Sequence, residues 1–104
     1  MIIQFNTDHN IDGSDRQSAY FSSAIAEALG RFSSHITRIE VHLSDENGNK
    51  EGKNDQRCLL EARLEGLQPI AVTTHGDTIE LAVKSATDKM KAALDTVVGR
   101  LKEH

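Results

Sequence analysis

Two stretches of alternating residues constrain this chain more than any other feature. In the first, Ile39, Val41 and Leu43 alternate with Arg38, Glu40 and His42; in the second, Cys58, Leu60, Ala62 and Leu64 alternate with Arg57, Glu61, Arg63 and Glu65. A period of two sends successive side chains to opposite faces of a strand, so each stretch has one apolar face to bury and one face in water. Leu59 alone interrupts the polar face of the second. Between them, residues 45–56 hold two glycines and no apolar side chain. Such a segment can bury nothing and predicts a mobile, exposed loop longer than a tight hairpin needs.

Helical signals flank these strands. Ile2, Ile3 and Phe5 form a short apolar run that ends in the turn-favouring Asn6-Thr7-Asp8-His9-Asn10, which predicts strand one over 2–6. Ser14 with Gln17 reads as a capping box, and Phe21, Ile25, Ala28, Leu29 and Phe32 follow at helical spacing, predicting helix one over 15–32. Ile36 opens strand two. Gly66-Leu67-Gln68-Pro69 turns the chain from strand three into strand four, 70–75. Asp77 and Glu80 form a second capping signal, opening a helix over about 77–102 with Ile79, Val83, Ala86, Met90, Ala93, Leu94, Val97 and Leu101 on one side.

The order is β-α-β-β-β-α, an α+β fold. Each helix and the sheet have one apolar face, so both helices should pack on one face of a four-stranded mixed sheet. A right-handed crossover through helix one makes strands one and two parallel, with antiparallel connections afterwards.

At 104 residues the chain fits one domain, 1–104, with no room for an added dimerisation module, so a monomer is expected. The N-terminus has no basic segment followed by an apolar run, and no window approaches a membrane span. Cys58 is the only cysteine, which excludes an internal disulfide and suits a reducing compartment. These features place the chain in the cytoplasm, without a membrane partner. The net charge of −4 is uneven: residues 1–56 hold five Lys/Arg against nine Asp/Glu, and residues 57–104 hold seven of each. The whole surface therefore does not attract nucleic acid, although a local basic patch remains open.

No phosphate-binding glycine loop, nucleophile elbow or CxxC pair is present, so the sequence predicts a binding domain rather than an enzyme, with no cofactor and no small-molecule substrate. The five histidines, His9, His35, His42, His75 and His104, are scattered. His42 and Cys58 fall on neighbouring strands but opposite faces, which argues against a shared metal. Arg38, Glu40, Glu61, Arg63 and Glu65 should decorate the open face of the sheet as cross-strand charge pairs. On helix two, Lys84, Lys91 and Lys102 share one stripe and Lys89 and Arg100 another. Asp88 and Asp95 fall within the first stripe, spaced to pair with its lysines and blunt its positive potential.

The whole chain resembles the ribosome hibernation factors, the family of hibernation-promoting factor, ribosome-associated inhibitor A and the ribosomal subunit interface proteins. The likeness is most specific at Asp77 through Ala82, Asp88-Lys89-Met90 and Arg100-Leu101-Lys102-Glu103-His104. It is also carried by His42-Leu43-Ser44-Asp45-Glu46-Asn47-Gly48 and Arg57-Cys58-Leu59-Leu60-Glu61-Ala62-Arg63. The resemblance implies binding to the small ribosomal subunit, to 16S rRNA and neighbouring proteins in the channel used by messenger and transfer RNA, and restraint of translation under stress or in stationary phase. It implies rRNA contacts from Lys84, Lys89, Lys91, Arg100 and Lys102 of helix two and from Arg31 of helix one. Typical members carry a dense Lys/Arg run where this chain has Ala92-Ala93-Leu94-Asp95-Thr96-Val97-Val98, so fewer phosphate contacts are expected here. The alternative is a protein-interaction or regulatory adaptor that keeps the fold without the RNA role.

Overall fold

The structure is a computed structural model that describes residues 1–7, 15–45 and 56–102. Strand β1 (Ile2–Thr7) leads to helix α1 (Asp15–Ala28) and a 3₁₀ turn (Gly30–Phe32). Strands β2 (Ile36–Asp45), β3 (Gln56–Leu64) and β4 (Ile70–Gly76) follow, then helix α2 (Ile79–Lys102). The sheet order is β1-β2-β3-β4, with β1 parallel to β2 and the remaining pairs antiparallel. This is the α+β arrangement that the alternation and the helical stripes predict. The Ser14 capping box and the segment 46–55 lie outside the described residues.

The alternation decides which face is buried. In register, Ile39 lies opposite Ala62, Val41 opposite Leu60, and Leu43 opposite Cys58, and all six are buried. Phe21 and Ile25 from α1, Leu29 just after it, and Val83, Ala86, Met90 and Leu94 from α2 close over this face. Helix α2 lies over β3 and β4, while α1 packs beside β1 and against α2. Complete burial of each large side chain here, such as Ile25, Leu60 or Met90, favours folding by about 1.5–3 kcal/mol.

Both helices depart from the sequence expectation. Helix one is shorter than 15–32: it ends at Ala28, and Leu29, at φ −103° and ψ 9°, leaves the helical region before Gly30. Phe32 N–H donates to Leu29 O (3.0 Å) and His35 N–H to Phe32 O (2.9 Å), the three-residue spacing of a 3₁₀ turn. Glycine has little helical preference, and the tighter turn still buries Phe32 while leaving Arg31 exposed. Helix two opens at Ile79 rather than 77, and Leu81 N–H donates to Thr78 Oγ1 at 3.1 Å, so Thr78 caps its first turn. Its buried stripe includes Ala82, Thr87 and Val98 but not Leu101, which is 42% exposed in the last turn.

The β4–α2 junction is close-packed. A Cβ on Gly76 would lie 2.9 Å from the Ala82 nitrogen and 3.1 Å from Leu81 Cβ. Thr74 Oγ1, one strand pleat earlier, donates to Ala82 O at 2.7 Å and ties β4 to the first turn of α2. This junction fixes where α2 and its cations sit above the sheet.

Candidate nucleic-acid interface

Lys84, Lys89, Lys91 and Arg100 are all exposed on α2, Lys102 is its last residue, and Arg31 is exposed in the 3₁₀ turn after α1. At about 100° per residue, Lys84 and Lys91 lie within about 20° of each other, and Lys89 and Arg100 likewise, but the two pairs are roughly 140–180° apart. They flank the buried stripe on opposite sides. A groove of about 300 Å³, lined by Tyr20, Phe21, Ala24 and Ala28 of α1 and by Val83, Lys84 and Thr87 of α2, marks the Lys84 side as the one beside α1. Lys89 and Arg100 therefore point away from α1. The structure brings Lys84, Lys91 and Arg31 toward the helix pair's common surface and sets Lys89 and Arg100 on the far flank.

These cations differ in their electrostatic partners. Lys84 Nζ lies 3.5 Å from Asp88 Oδ2, one helical turn on, with both side chains mostly in water. Arg31 is ion-paired with Asp95 of α2, and its guanidinium lies over the Phe32 ring, 4.6 Å from the centroid. Spacing along α2 assigns Asp95 to that helix's lysines, whereas the fold gives it a cation 64 residues earlier in the chain. Local periodicity carries no signal for that contact. Among the described residues Lys89, Lys91 and Arg100 make no ion pair.

The opposite face of the sheet is self-compensated. Register places like charges opposite each other, Arg38 with Arg63 and Glu40 with Glu61. The ion pairs consequently run diagonally or along a strand: Arg63 Nε to Glu40 Oε2 at 3.0 Å, Arg63 Nε to Glu61 Oε1 at 3.2 Å, and Arg38 to Glu40 at 3.6 Å. Arg38 also donates to Gln4 Oε1 on β1. Burial raises the Glu40 pKa, but the charges of Arg38 and Arg63, with hydrogen bonding to Arg63 and Glu61, outweigh it and hold the carboxyl below its ordinary range. Glu65, expected on this face, falls past the end of β3 in the exposed turn.

His42 sits half-buried on that face opposite Leu59, while Cys58 is fully buried on the other side of β3, so the two do not converge. Burial pushes the Cys58 thiol up to about 12, against a smaller opposite pull from Arg57. Among the described residues no three His, Cys, Asp or Glu side chains come together to hold a metal ion, and no helix is long and apolar enough to cross a membrane. What the described surface offers is a set of exposed cations on α2 and the 3₁₀ turn, a residue type suited to phosphate contacts.

Comparison with known proteins agrees with this fold. The N-terminal domain of Protein Y from Thermus thermophilus superposes with a TM-score of 0.74 at 18% identity, covering 93% of this chain and 99% of that one. A ribosomal subunit interface protein from Coxiella burnetii superposes with a TM-score of 0.71, also at 18% identity, covering 95% and 99%. At such identity the likeness establishes the fold. No curated protein matches the sequence. The profile of one family, described as sigma 54 modulation protein / S30EA ribosomal protein, matches residues 5–102, nearly the whole chain, and the chain belongs to that family.

Proposed function

We propose that this protein binds the small ribosomal subunit near the messenger and transfer RNA channel and restrains translation under stress or in stationary phase, acting as a cytoplasmic monomer. Family membership supports ribosome association. The observation that carries the finer reading is the set of helix α2 cations, Lys89, Lys91 and Arg100, which are exposed and make no ion pair among the described residues. Lys84, Lys102 and Arg31 add to that set, with 16S rRNA phosphates as their partners.

If these three cations each meet a phosphate, log K should fall with log salt at a slope of about −2 to −3, a loss of roughly 15- to 60-fold between about 50 and 200 mM salt. Sedimentation with purified bacterial ribosomal particles tests this. Comigration with 30S, 70S or 100S particles at low salt, released on raising the salt, is the expected result. A protein that stays at the top of the gradient at low salt overturns the proposal.

The net charge of −4, concentrated before residue 57, favours a second reading as an adaptor that binds a protein partner. Capture of a partner that withstands both nuclease and high salt would select it over the ribosomal reading.

A further inference from the structure

We infer that Asp95 is an affinity-setting residue: its carboxylate competes with RNA phosphate for Arg31, so the chain's own anion limits how strongly the helix surface holds RNA. The inference rests on the ribosomal reading and goes beyond it by assigning a role to an acidic residue.

The argument starts from position. Asp95 lies on the α2 flank nearest α1, one turn beyond Lys91 and two turns before Lys102, and pairs with Arg31 across the helices. It stands within the group of cations that a polyanion would meet on that flank. The Arg31 guanidinium, seated on the Phe32 ring, donates from one terminal nitrogen to Asp95 Oδ1. A phosphate taking both N–H groups of that fork must displace the carboxylate, since each anion accepts through its oxygens from the same guanidinium N–H donors.

Folding gives little reason for the pair. Its side chains are 57% and 50% exposed, and exposed ion pairs contribute little to stability. Arg31 is already positioned by the 3₁₀ turn and the Phe32 contact without it. The larger effect of Asp95 therefore falls on whatever anion approaches this surface. Asp88 holds Lys84 in the same manner one stripe position earlier, but within a single helix.

The test is a double-mutant cycle on binding to purified 30S subunits, using the full chain as wild type, Asp95→Asn, Arg31→Gln and the double variant. Freeing Arg31 adds one phosphate contact, so Asp95→Asn should tighten binding by about five- to tenfold and steepen the salt slope by about 0.7–0.9. In the Arg31→Gln background the same change should give less than about twofold. Glu61→Gln makes the same charge change on the far face of the sheet and should also give less than about twofold, since that distance is screened. Equal tightening with and without Arg31 overturns the inference, because it would report net charge alone. So does an unchanged affinity of Asp95→Asn where wild type binds. If neither wild type nor Asp95→Asn binds 30S at low salt, the ribosomal reading fails together with the inference.

Discussion

Replacing Gly76 with alanine adds one methyl group at the point where β4 hands over to α2, and the structure sets the size of the effect. The new Cβ would sit 2.9 Å from the Ala82 nitrogen and 3.1 Å from Leu81 Cβ. Ordinary contact needs about 3.5 Å, so the first turn of α2 must retreat by about 0.5 Å, and both nearest atoms belong to backbone or to a Cβ that cannot rotate away. The same retreat stretches the 2.7 Å hydrogen bond from Thr74 Oγ1 to Ala82 O. Overpacking of this kind costs about 1–3 kcal/mol, and the stiffer unfolded chain offsets about 0.4–1 of it. The net loss should be about 1–2 kcal/mol, or roughly 5–15 °C in Tm for a domain of this size. Gly99→Ala is the matched comparison: nothing lies within 4 Å of the added methyl group in the last turn of α2. Helical preference should then raise stability by about 0.5–1 kcal/mol. Urea unfolding with unchanged m-values reads both. A Gly76→Ala protein as stable as wild type, or a Gly99→Ala protein less stable, would refute the reasoning from close approach.

Lys89→Glu combined with Lys91→Glu should release the protein from ribosomal particles while changing folding stability by less than about 0.5 kcal/mol, because exposed charges contribute little; cosedimentation equal to wild type would remove both from the interface. Glu40, whose pKa folding lowers, contributes stability that is complete above the ordinary value of 4.5 and is lost as pH falls through the lower folded value. Tm measured across the acid range should consequently drop less steeply for Glu40→Gln than for wild type, and parallel curves would contradict the diagonal pairing with Arg63. Cys58, fully buried with its thiol pushed up to about 12, should resist a thiol reagent in the native protein and react once urea unfolds it. Rapid stoichiometric labelling of the native state would show that β3 opens locally.

Much of this protein was legible in its residues because the deciding signals are local. The alternation around Val41 and Leu60 reports which strand face is buried, and the stripe from Val83 to Leu94 reports which side of α2 meets the sheet, since both depend only on the geometry of one element. From two amphipathic helices and a one-faced sheet the layer arrangement follows, and the six candidate cations were visible as residues. Helix one was read too long, because a single glycine and its neighbours chose a 3₁₀ turn that still buries Phe32.

Only the tertiary structure decided which charges meet. Strand register set Glu40 against Glu61 and sent Arg63 diagonally between them, a result that periodicity does not specify because it describes each strand alone. The placement of α1 beside α2 brought Arg31 to Asp95 across 64 residues, leaving Lys89, Lys91 and Arg100 without an ion pair among the described residues. Burial follows from the pattern within an element, whereas an ion pair between elements depends on their relative position, and that exists only once the core has packed.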